Sequence, residues 1–170
     1  MKLLTLFVVL GWSFPSGLSM HLMRHRPKPL DSPNTWNGIS VMTDHAQKED
    51  KDHETRLLPV FSGAMLKDDD SCCINAHILE FYLKHILHGD EHFDKTYPHV
   101  RFVRSDLRRV QNVLQPHCIS RSLAEHIIVK EFEEKYNASA KKNLAAARNK
   151  AVGETIILFH YLFESCNARM

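Results

Sequence analysis

The stretch Ser71-Cys72-Cys73-Ile74-Asn75-Ala76-His77-Ile78-Leu79-Glu80-Phe81-Tyr82-Leu83-Lys84-His85-Ile86-Leu87 decides the fold. Ile74, Ile78 and Phe81, and beside them Leu79, Tyr82 and Ile86, return at steps of three and four residues, which lays a broad apolar stripe along one α-helix. Ser71 is placed to cap its N-terminus, the acidic run Asp68, Asp69 and Asp70 suits the positive end of the helix dipole, and Gly89 ends it. Two adjacent cysteines open this helix, and the remaining two of the four are Cys118 and Cys166. Four cysteines allow three pairings. Successive helical side chains diverge by roughly 100°, and a bond between sequence neighbours is strained. Cys72 and Cys73 are therefore expected to tie to different partners, one to Cys118 and one to Cys166, and which takes which stays open.

Helical spacing continues on both sides. Val100, Val103, Leu107, Val110 and Leu114 repeat at steps of three and four, with Arg101, Arg104, Arg108 and Arg109 on other faces, in a helix expected to stop at Pro116. Ser122 is a candidate cap for the next helix, whose apolar positions are Leu123, Ile127, Ile128 and Phe132. A last helix, about Ala145 to Ser165, is apolar nearly all round in Ile156, Ile157, Leu158, Phe159, Tyr161, Leu162 and Phe163, a pattern that belongs at the centre of a bundle. Upstream, Trp36, Ile39, Val41 and Met42 predict a helix from Thr35 to about Gln47, weakened by Gly38. The charged stretch Lys48 to Glu54 reads as a solvated loop, and Arg56 to Leu66 as a short segment interrupted by Pro59. No segment sustains a two-residue alternation, and there are only six glycines. The expectation is an all-α, compact bundle of five to six helices stapled by disulfides.

The compartment is written at the N-terminus. Lys2 precedes the apolar run Leu3 to Trp12, and Pro15 and Gly17 lead to small residues around Ser19. This reads as a signal peptide over residues 1–19, cleaved after Ser19, since the run is shorter than the ~20 residues that span a bilayer. The remaining residues 20–170 form a single domain with a core of its own, preceded by a flexible basic arm over about residues 20–33 that carries Arg24, Arg26, Pro27, Lys28 and Pro29. The product is expected to be soluble, extracellular and not inserted in a membrane. Asn137-Ala138-Ser139 is an acceptor sequon for N-linked glycan. A formal charge of +2 with 25% charged residues does not call for nucleic acid or an anionic membrane as partner.

Chemistry finds little footing. Cys72 to His77 superficially resembles the active-site helix of secreted phospholipase A2. The spacing is one residue too long, Ile78 stands where that family has a calcium-binding aspartate, and no glycine-rich calcium loop lies upstream. His85, His88 and His92 are spaced three and four apart, yet Gly89 and Asp90 break the helix before His92, and solvated histidines are the simpler reading. Cysteines of an exported protein are oxidised rather than nucleophilic. No phosphate loop, nucleophile elbow or carboxylate pair of recognisable spacing is present, so the chain reads as a non-enzyme without cofactor or metal.

A resemblance carries the reading further. Cys72 to Leu87, with Ile78-Leu79-Glu80-Phe81-Tyr82-Leu83 inside it, resembles the third helix of the interleukin-10 family of class II helical cytokines. Asn149-Lys150-Ala151-Val152-Gly153-Glu154, followed by Ile156-Ile157-Leu158-Phe159, is similar to that family's final-helix signature. Within the family the closer likeness is to the interleukin-22 branch, which His53-Glu54-Thr55-Arg56-Leu57-Leu58 resembles, and the second is to the interleukin-26 branch, which Leu114-Gln115-Pro116-His117-Cys118-Ile119-Ser120 resembles. The doubled cysteine is similar to the interleukin-19 and interleukin-20 branch, whereas the cysteine that mammalian interleukin-22 carries before its first helix is absent.

The resemblance implies the pairs Cys72–Cys166 and Cys73–Cys118. It implies a monomeric secreted cytokine of immune and epithelial defence that holds two receptor chains together to start JAK-STAT signalling. The first would be similar to the interleukin-22 receptor alpha-1 chain and the second to the interleukin-10 receptor beta chain. Arg56, Lys150 and Glu154, with Glu54 beside them, fall where the family contacts the specific chain. The plainer reading of Lys150 and Glu154 is an i,i+4 ion pair supporting the last helix. A different class of function, a cationic secreted protein acting directly on microbes or nucleic acid, would rest on a basic stripe of Arg101, Arg104, Arg108 and Arg109.

Overall fold

Ser32 starts the first helix, α1 (Pro33–Glu49): its hydroxyl accepts from the Thr35 N–H at 3.4 Å, and Pro33 takes the first position, where its missing N–H costs nothing. The computed structural model describes residues 28–52, 54–89, 91–118 and 126–166. Ahead of α1, Pro29–Asp31 forms a 3-10 turn that buries Leu30, whose carbonyl accepts from the Trp36 indole N–H at 2.8 Å. The arm expected over residues 20–33 is thus fastened to the core from Lys28 onward. Its earlier part, the signal segment and the cleavage after Ser19 lie outside the described residues.

The remaining elements, among the described residues, are α2 (Gly63–Leu66), α3 (Ser71–Phe81) continuing through a π-helical turn at Tyr82–Ile86, α4 (Glu91–Thr96), α5 (Val100–Cys118), α6 (Ile127–Lys142), α7 (Leu144–Gly153) and α8 (Thr155–Cys166). Every regular element among them is helical. With α2 and α4 as short connectors and α7 and α8 as one rod broken once, the fold is the expected helical bundle. The broad stripe of α3 packs against α5, α6 and α8, and Tyr82 stacks on Phe132 with centroids 5.6 Å apart. Trp36 meets Phe159 edge-on at 4.6 Å, which ties α1 to α8. Among the described residues no helix is long and apolar enough to cross a membrane.

Several boundaries differ from expectation for identifiable reasons. Asp70, not Ser71, holds the cap position of α3, and the Ser71 hydroxyl donates to the Met65 carbonyl instead. Helix α5 runs through Pro116 to Cys118. Pro116 gives up the N–H bond to the preceding turn, and Cys118, just beyond it, is bonded to Cys73. The expected cap Ser122 lies outside the described residues; α6 is capped by His126, whose Nδ1 accepts from the Ile128 N–H at 3.3 Å. The last helix is broken at Glu154, between α7 and α8. Gly38 marks a close crossing, since a Cβ there would sit 3.0 Å from the Phe102 ring.

Two disulfides close the bundle. Cys72 joins Cys166 across 94 residues with Cα atoms 5.0 Å apart, and Cys73 joins Cys118 across 45 residues at 5.3 Å. Loops of these lengths give stabilisation of about 4.5 and about 4 kcal/mol in the chain-entropy treatment. Three of the four arginines of α5 are engaged in ion pairs, and Arg108 is exposed. Arg101 and Arg104 both pair with Asp94, at 3.0 and 2.6 Å, and Arg109 pairs with Asp106 at 2.9 Å. The hydrogen bond from Arg104 is the main cause that holds the Asp94 carboxyl below the usual carboxylate range, against the opposing effect of burial.

Candidate functional site

The site forms where the end of α1, the connection over residues 50–61 and the α7–α8 break meet. Gln47 and Gly153 lie in contact: a Cβ on Gly153 would stand 3.2 Å from Gln47 Cγ, and the Gln47 amide donates to the Gly153 carbonyl at 2.9 Å. One turn earlier, Asn149 donates to the Ala46 carbonyl at 2.8 Å. These contacts fix the start of the connection against α7.

Glu154, only 7% exposed, is the centre of the arrangement. Its two carboxylate oxygens accept from the backbone N–H groups of Leu57, at 3.0 Å, and Leu58, at 2.7 Å. Burial pushes this carboxyl above its ordinary value, opposed by those two N–H groups and then by the charges of Lys150 and Arg56. Leu57 and Leu58 are themselves buried in the core, so the carboxylate sets the path of an irregular segment that would otherwise bury two unsatisfied donors.

Lys150 works on the other end of the same connection. Its ammonium pairs with Asp50 at 2.9 Å and also donates to the Asp52 carbonyl. The Asp52 side chain accepts from the Glu54 and Thr55 N–H groups at 3.1 and 2.9 Å, shaping the turn that leads to Arg56; the bonds from Thr55 lower the Asp52 pKa. Lys150 and Glu154 therefore each hold the connection rather than forming the i,i+4 pair with one another. Arg56 is exposed, and its guanidinium donates to the Tyr161 hydroxyl at 2.6 Å.

Gln47, Asp50, Arg56, Lys150, Gly153, Glu154 and Ile157 line a cleft of about 450 Å³. Three of the four residues expected at a receptor contact, Arg56, Lys150 and Glu154, thus come together, while Glu54 is exposed and outside the lining. Sequence reasoning missed Gln47 and Tyr161. The available signal was chemical: a tyrosine on a buried helix face needs a partner for its hydroxyl. Among the described residues no group of three His, Cys, Asp or Glu side chains could hold a metal ion. His85 lies in the π-turn with its ring 4.6 Å from Phe81, and His92 lies in α4.

Most of the chain has a solved counterpart. It matches the crystal structure of zebrafish interleukin-22 at 54% identity and a TM-score of 0.74, over 83% of this chain and 97% of that one. The chain belongs to the interleukin-22 family. No protein-family model and no curated protein matches it. As an interleukin-22-like cytokine, it has its doubled cysteine divided between two bonds: Cys72 ties α3 to the end of α8, and Cys73 ties it to the end of α5. Asn137 of the sequon stands exposed on α6, apart from the cleft.

Proposed function

We propose that this interleukin-22-like cytokine is exported and signals by association, holding together a specific class II receptor chain similar to the interleukin-22 receptor alpha-1 chain and a shared chain similar to the interleukin-10 receptor beta chain. JAK-STAT signalling inside the responding cell follows from that bridging. The specific chain docks on the cleft, with Arg56 and Lys150 facing it and Glu54 at the edge. The observation that carries the reading is the double fastening of residues 50–58 by Lys150 and Glu154, which sets an exposed arginine beside a polar cleft. A contact surface ordered before binding loses little entropy on docking, and arginine is favoured among residues that dominate binding energy. Glu154, buried and engaged by backbone, contributes by holding Leu57 and Leu58.

Arg56→Ala is expected to weaken binding to an immobilised interleukin-22 receptor alpha-1 ectodomain by about 30-fold, the order of a hot-spot loss. Lys150→Ala should weaken it by about tenfold, as loss of a half-buried charge pair loosens the connection. Both variants should keep the helical circular dichroism of the parent. Unchanged affinity in both would remove the cleft from the receptor contact.

The chain also enters the secretory route through residues 1–19 and carries a glycan on Asn137, whose exposure leaves room for one. Mass spectrometry of protein secreted from eukaryotic cells should find Met20 as the first residue. It should also show a loss of glycan mass on glycosidase treatment that Asn137→Gln abolishes. An intact N-terminus, or an unmodified Asn137 peptide, would overturn the corresponding assignment.

A further inference from the structure

Tyr161 is 6% exposed, yet its hydroxyl is the meeting point of three groups from a segment a hundred residues earlier in the chain. It accepts from the Arg56 guanidinium at 2.6 Å and from the Phe61 N–H at 3.4 Å, and it donates to the Pro59 carbonyl at 3.3 Å. Its ring packs edge-on to Phe61 with centroids 5.0 Å apart. The apolar body is thus seated by core packing and only the hydroxyl reaches the connection.

We propose that Tyr161 is a positioning residue for receptor recognition: its hydroxyl holds the Arg56 guanidinium in the orientation in which the receptor takes it. The inference rests on the cleft being the contact for the specific receptor chain. A free arginine side chain has many rotamers, and ordering it on docking weakens binding. Glu154 fixes the backbone just after Arg56, at Leu57 and Leu58, and leaves the guanidinium end undetermined. Tyr161 supplies that last constraint, from the far side of the α7–α8 break. One side chain therefore couples the last helix to the exposed arginine, and the coupling is specific to a hydroxyl: phenylalanine would fill the same space and keep the contact with Phe61.

The test is a double-mutant cycle on the full secreted chain, with Tyr161→Phe, Arg56→Ala and the double variant measured against the immobilised interleukin-22 receptor alpha-1 ectodomain. Tyr161→Phe alone should weaken binding by about fivefold, the scale of ordering one long side chain. In the Arg56→Ala background the same change should have no further effect, because the group it positions is gone. Thermal unfolding of all variants separates this from a general loss of stability. An equal fold-loss in both backgrounds, or no loss from Tyr161→Phe while Arg56→Ala weakens binding, overturns the positioning role and leaves the site standing. No loss from Arg56→Ala removes the site itself.

Discussion

Replacing Glu154 by alanine should lower the melting temperature by roughly 4–24 °C and abolish detectable receptor binding. The change leaves the Leu57 and Leu58 N–H groups, now bonded at 3.0 and 2.7 Å, buried without an acceptor. Each such orphaned donor costs on the order of 1–3 kcal/mol, so about 2–6 kcal/mol is lost, and for a chain of this size each kcal/mol corresponds to about 2–4 °C. Glu154→Gln should cost less, since one amide oxygen can still accept, but its amino group faces the second N–H. The two variants also differ from the parent in pH response. Because burial raises the Glu154 pKa, the folded chain takes up this proton more readily than the unfolded chain. The penalty for its charge is present above the folded pKa and is relieved as pH falls through that value toward the unfolded one. The stability difference between parent and Glu154→Gln should therefore shift in favour of the parent over that window. Asp94, held low by Arg104, acts with the opposite sign: its contribution is lost only as pH falls through its own depressed pKa. A difference profile flat with pH, together with an unchanged melting temperature for Glu154→Ala, would show that the carboxylate does not hold the connection.

Removing the Cys72–Cys166 bond as the pair Cys72→Ala and Cys166→Ala should destabilise by about 4.5 kcal/mol, against about 4 kcal/mol for the Cys73 and Cys118 pair. Single domains are stable by only about 5–15 kcal/mol, so either loss should reduce secretion sharply. The ranking is the sharper test. The 94-residue loop encloses nearly the whole of α3 to α8, and the 45-residue loop only α3 to α5. Calorimetry or urea unfolding of the two double variants measures it; a larger loss from the shorter loop would mean that local packing outweighs chain entropy here.

Much of the fold was legible because its signals are periodic. The stripe of Ile74, Ile78 and Phe81, the three-and-four steps from Val100 to Leu114, and the apolar last helix all reappear as packed helices. What escaped depends on partners far along the chain. Pro116 reads as a stop because its penalty is local, whereas the Cys118 bond that carries the helix past it is not. The break at Glu154 follows Gly153, whereas the pair of N–H groups that Glu154 engages lies nearly a hundred residues upstream, beyond any local pattern. Arg56, Lys150 and Glu154 stood out by motif, but their division of labour did not. Nothing in the spacing of Lys150 and Glu154 distinguishes two clamps on a loop from an i,i+4 ion pair. Tyr161 looked like one more core aromatic, and only the placement of Arg56, Pro59 and Phe61 around its hydroxyl reveals the difference.

The claim that the fastened connection and the α7–α8 break form the face for the specific receptor chain is open to a direct footprint. Amide hydrogen exchange of the intact chain should be followed with and without saturating interleukin-22 receptor alpha-1 ectodomain. Slower exchange confined to residues 47–61 and 147–157, with α6 unchanged, is the expected result; protection on α6 with residues 47–61 exchanging as in the free chain would contradict it.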